Sequence, residues 1–163
     1  SFATSLAMVE NRIFMGNGNI ISLILQDELL HKGWTGWIIN QVVKEDPRFA
    51  KAAKECEQEV YDMYMDVIRE EKEWADYLFK KGPVIGLNAN ILKEFVDYTA
   101  LESLKTIGIK YNEPAPKVSP IPWFNKHSDT SKKQTALQEN ESTNYVIGVM
   151  SESLDYDDLP ELA

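Results

Sequence analysis

Glu28 and His31 stand three residues apart in a stretch whose apolar spacing is helical, and this pair narrows the possible folds more than any other feature of the chain. At about 100° per residue, the two side chains are neighbours on one face of a helix. That face also carries Ile21, Ile24, Thr35, Ile38 and Val42, so the pair is expected to be buried in a helix that otherwise reads as core. An ionisable pair on an apolar face is costly unless its members satisfy each other or bind a metal. Helical bundles that hold two iron or manganese ions use two single carboxylates and two Glu-x-x-His pairs from four helices. This chain has one such pair and one further histidine, His127, so it carries at most half of that ligand set.

The punctuation of the sequence agrees with a bundle. Phe2, Leu6, Val9 and Ile13 predict a helix over residues 1–15, stopped by Gly16-Asn17-Gly18. A second helix is predicted over 19–44, broken by Asp46-Pro47, with Pro47 suited to the first turn of the next. A single long third helix is predicted over 47–79, ended by Gly82-Pro83, and a fourth over 88–107, ended by Gly108. The expected fold is therefore all-α, an antiparallel helical bundle or part of one, over residues 1–111. Pro114, Pro116, Pro120 and Pro122 preclude a regular helix after Tyr111, and residues 125–144 are polar without periodicity, so 112–144 reads as a linker. Residues 145–163 open on an apolar cluster, Tyr145 to Met150, and end in an acidic stretch carrying Leu154, Leu159 and Leu162, the profile of a docking tail. The first residues already read as mid-helix with no cap before them, which suggests that other residues precede Ser1.

Composition excludes several functions. The net charge of −9 argues against nucleic acid, whose phosphates call for Lys and Arg. No apolar run reaches the roughly 18 residues of a membrane span, and no signal peptide is visible. The one cysteine, Cys56, allows no internal disulfide and favours a reducing compartment, the cytoplasm.

The pair has an ordinary reading too, a Glu–His hydrogen bond within the core. Two features favour a metal. Asp27 lies beside the motif, and metal-bound histidines are usually oriented by carboxylates. Gly33 and Gly36 follow His31, where small residues permit close helix approach, although plain helix packing accounts for them equally. A carboxylate and an imidazole suit iron or manganese; structural zinc sites favour cysteines, which are not clustered here. His127 is expected to be exposed in the linker, and Trp34, Trp37 and Trp74 to be core.

At this point the residues match a known family. Asp27-Glu28-Leu29-Leu30-His31, residues 71–79, Ile85-Gly86-Leu87-Asn88, residues 120–125, Tyr145-Val146-Ile147-Gly148 and Asp155-Tyr156-Asp157-Asp158-Leu159 appear in the family's order. Over nearly all its length the chain resembles the C-terminal half of the small (beta) subunit of class I ribonucleotide reductase, of the di-iron, tyrosyl-radical type. The resemblance implies a ferritin-like bundle and a dinuclear iron centre, with manganese as the alternative. It implies Glu28 as a bridging ligand, His31 as a ligand of the second ion, and Asp27 as the acid linking the site to the radical route. Phe2, Ile21 and Ile24 would wall the pocket around the radical tyrosine. Tyr145, with Glu139 as its tail carboxylate, would carry the radical to the large subunit, which residues 145–163 would bind. The radical tyrosine, the other Glu-x-x-His pair and the two single carboxylates would lie before Ser1; Glu10 and Asp46 do not occupy matching positions. The implied partners are thus the N-terminal half of the subunit, a second copy of the completed subunit, and the large catalytic subunit. Ser1 is compatible with a protein-splicing junction.

Two other readings compete. Another ferritin-like dimetal oxidase would work without a large subunit and without residues 145–163. A non-enzymatic helical module with an acidic docking tail would take up no metal.

Overall fold

The computed structural model describes residues 2–129. Among them every regular element is helical: α1 (Phe2–Glu10), α2 (Met15–Glu45), α3 (Pro47–Glu55), α4 (Glu57–Leu78), α5 (Ala89–Thr106) and a 3₁₀ turn over Pro122–Lys126. The all-α expectation holds.

The first boundary differs from expectation. Gly16-Asn17-Gly18 does not stop a helix; it lies in the opening turns of α2. The chain breaks earlier, where Arg12 and Phe14 adopt left-handed backbone with φ of 61° and 55°. The amides of Arg12 and Ile13 cap the end of α1 by donating to the carbonyls of Val9 and Met8. Gly18 has a different use: a Cβ there would collide with the Val9 side chain, so the glycine lets α1 lie close against α2.

The single helix predicted over 47–79 is two. α3 opens on Pro47, with the Asp46 carboxylate accepting from the Arg48 amide at 2.8 Å, and closes at Cys56 (φ −95°, ψ −1°). Neither glycine nor proline marks the break. Hydrogen bonding is nearly continuous through it, from the Cys56 amide to the Ala52 carbonyl and from the Val60 amide to the Cys56 carbonyl. The kink turns on one residue's ψ, for which the sequence has no signal.

α4 and α5 are antiparallel neighbours, cross-linked by Lys72–Asp97 at 2.7 Å and Lys93–Asp76 at 2.6 Å. Ile68, Ala100, Leu104 and Tyr111 form one buried cluster between them. α5 begins at Asn88, whose side chain accepts from the Ile91 amide at 3.0 Å. It ends in a Schellman arrangement: Gly108 has φ of 79°, and the amides of Ile109 and Gly108 reach the carbonyls of Leu104 and Lys105.

A second cluster joins Ala3, Leu6 and Ala7 of α1, Leu25 of α2, Ala75 of α4 and Leu92 of α5 with Leu87, Ile121 and Phe124. Residues 112–129, read from the sequence as the start of a linker, are thus partly core. Ile121 is buried, and Phe124 meets Phe95 edge-on at 5.0 Å between ring centres. Prolines prevent a helix there without preventing packing.

α2 is buried along one line only, at Gly18, Leu25 and Gly36. These positions are 7 and 11 residues apart, each within about 20° of whole turns. The rest of this 31-residue helix is half-buried or open.

Candidate metal centre

Glu28 and His31 lie on α2 to one side of that buried line, about 60° and 120° away from Leu25. His31 Nδ1 is 3.5 Å from Glu28 Oε2, the outer limit of a hydrogen bond, and the side chains are 74% and 58% exposed. The expectation of a buried pair is corrected: the packed face of α2 runs through Leu25 and Gly36, and the pair flanks it. Trp34, Trp37 and Trp74 are corrected too, being exposed rather than core. Trp34 and Trp37 face away from the buried line, and Trp74 stacks on Tyr77 at the surface.

The pair opens onto a groove of about 450 Å³. One wall is α2, with Lys32, Thr35, Gly36 and Ile39; the other is Val60 and Tyr64 of α4 with Ser103 and Thr106 of α5. Burial of Lys32 lowers its ammonium pKa, and the charge of Glu102 on α5 opposes that shift.

As donors, Glu28 and His31 suit a metal. A carboxylate and an imidazole one turn apart, both reachable from one groove, have the spacing and donor types that a Glu-x-x-His unit of a carboxylate-bridged site requires. Among the described residues no three acidic, His or Cys side chains converge as a metal would need. Asp27 is exposed on the neighbouring face of α2. Phe2 and Ile21 pack, partly buried, against the same core cluster, whereas Ile24 is exposed. Glu139, Tyr145, Leu154, Leu159 and Leu162 lie outside the described residues.

Sequence reasoning missed the role of His127. Its side chain is only 13% exposed, with Nε2 2.8 Å from Glu10 Oε1 and Nδ1 3.2 Å from Ser22 Oγ. A carboxylate can only accept, so Nε2 donates to Glu10, while Nδ1 shares a hydrogen bond with the Ser22 hydroxyl. Lys126 Nζ donates to the other Glu10 oxygen at 2.6 Å. Burial raises the Glu10 carboxyl, but the hydrogen bonds and charges of Lys126 and His127 outweigh it and leave the group below its ordinary 4.5. The partners are more than a hundred residues apart, and no local pattern announces them. Asp97 is similar: it accepts from Tyr111 at 2.7 Å as well as from Lys72. Burial first, then Asp97, raises the Tyr111 phenol well above its ordinary value.

The comparisons with known proteins agree with this architecture. The family model for the ribonucleotide reductase small chain matches residues 1–117. The beta subunit of ribonucleoside-diphosphate reductase 1 from Salmonella typhimurium is 39% identical over 161 residues, covering 98% of this chain and 43% of the relative. The corresponding subunit of Haemophilus influenzae is 38% identical, covering 100% of this chain and 44% of the relative. That of Enterobacteria phage T4 is 36% identical, with 95% and 41% covered. The chain thus spans less than half the length of the curated relatives it matches. With a match over most of its length and the all-helical architecture that goes with it, the chain belongs to the ribonucleotide reductase small-chain family, with its ferritin-like helical fold.

Proposed function

We propose that this chain supplies one half of the metal site, and the radical-transfer tail, of a ribonucleoside-diphosphate reductase small subunit working in the cytoplasm. The observation that carries this reading is the Glu28–His31 pair, held one turn apart on an open groove of α2, within a chain of this family. Glu28 and His31 would hold the metal; the remaining ligands would come from the part of the family fold that this chain does not span. A bound dinuclear iron centre, or a manganese one, supplies the oxidising equivalent that drives tyrosine oxidation. Asp27, next to Glu28, would link the site to the transfer route. In the tail, Tyr145 would lose an electron and a proton together, with the Glu139 carboxylate as a proton acceptor in the same segment. Residues 145–163, acidic and punctuated by leucines, would dock on the large subunit, where ribonucleotides become deoxyribonucleotides. The completed subunit would form a homodimer.

Native mass spectrometry of the protein from its own source tests the assembly. The expected result is a complex containing this chain, the rest of the family fold and two metal ions per subunit; this chain alone and without metal speaks against it. Replacing Tyr145 with Phe tests the tail: reductase turnover should fall to background while metal content stays at the wild-type level. Turnover retained in Y145F rules out the radical-carrying role.

A further inference from the structure

We infer that Asn40 is a positioning residue for the metal pair, pinning the two walls of the groove at a fixed separation. The inference rests on the proposed metal-binding role of Glu28 and His31. Asn40 Nδ2 donates to two carbonyls, Gly36 of its own helix and Thr106 of α5, each at 2.8 Å. Thr106 is the last residue of α5, so its carbonyl belongs to the set left without an intrahelical partner. One amide group therefore closes an orphan helix end and ties α2 to α5. It makes a side-chain hydrogen bond between these two helices.

Gly36 completes the pin. A Cβ at Gly36 would come within 2.6 Å of Thr106 Cγ2, so any side chain here would make Thr106 or the helices shift. Gly36 and Thr106 line the same groove as Glu28 and His31. Asn40 lies about 14 Å along the helix from His31 at 1.5 Å per residue, beyond the reach of a ligand. It touches no metal donor; it sets the distance between the wall that carries the donors and the wall that faces them. Glu28 and His31 are themselves exposed and only weakly held by each other, so their placement depends on where α2 lies.

The test uses the assembled subunit isolated from its own source, with three variants: Asn40→Leu, Gly36→Ala and Glu28→Ala. Mn(II) binding is followed by electron paramagnetic resonance, thermal stability by circular dichroism, and hydrogen exchange at the C-terminal amides of α5. Glu28→Ala should lose most of the Mn(II) binding. Asn40→Leu should weaken it by about 10- to 100-fold, the range for groups that orient ligands without touching the metal, and should speed exchange at Ile107 to Ile109. Gly36→Ala keeps the Asn40 donor and improves helix propensity, yet sets a methyl against the Thr106 side chain between the walls, so it should weaken Mn(II) binding without loss of helix content. Should Asn40→Leu fail to assemble, Gly36→Ala decides the matter alone. Wild-type Mn(II) affinity in Asn40→Leu or Gly36→Ala, with binding lost in Glu28→Ala, overturns the positioning role and leaves the metal reading standing. Wild-type affinity in Glu28→Ala overturns both.

Discussion

At the residue scale, the polar side chains that organise this chain are not the ones its motifs advertise. Glu10 has no motif around it, yet it collects Lys126 and His127 and ties the end of the described chain to α1. Its carboxyl is held below the ordinary value, so it contributes stability above about pH 4.5 that is lost as pH falls through the lower folded-state value. Glu10→Gln should therefore lower stability at neutral pH, by about 1 kcal/mol because the group is partly in water. Thermal melts of wild type and variant across the pH range check this, and the two should converge under acid conditions below that window. A gap that persists or widens in acid would show that the charge of Glu10 is not what matters. Glu28 and His31 were legible in the sequence because a one-turn spacing is a local property. Their exposure was not, since it depends on which side of α2 the rest of the chain covers.

At the scale of elements, helix identity was legible and several boundaries were not. α5 was readable from both ends: Asn88 caps it and Gly108 ends it with positive φ, each a local requirement met by a suitable residue. Asn88→Ala should cost about 1 kcal/mol through loss of the bond to the Ile91 amide. An unfolding midpoint unchanged from wild type would mean that the packing of Leu92 and Leu104 sets the start of α5 without the cap. The α1–α2 boundary misled because glycines serve two purposes. Gly16-Asn17-Gly18 looks like a stop, but Gly18 is small so that Val9 can pack against it. The α3–α4 kink at Cys56 had no breaker residue to reveal it.

At the scale of the whole molecule, α2 stands out as a helix covered on one line and open on two flanks. One flank carries Glu28 and His31; the other carries Leu30, Trp34 and Trp37, which are 44%, 62% and 56% exposed. No helix among the described residues is long and apolar enough to cross a membrane. If the chain assembles as proposed, its tryptophan emission should shift to shorter wavelength on complex formation as Trp34 and Trp37 leave water; emission identical in the isolated chain and the complex would mean that this flank stays uncovered. The sequence by itself determined the helical class, the capped α5 and the one-turn spacing of the candidate ligands, because periodicity, caps and turns act within a few residues. Only the tertiary structure decided that the pair lies open on a groove, that His127 is a clasp on Glu10, that Ile121 and Phe124 belong to the core, and that Asn40 spans two helices. Those outcomes depend on contacts between residues far apart in the chain, where burial and hydrogen bonding are settled by which surfaces meet.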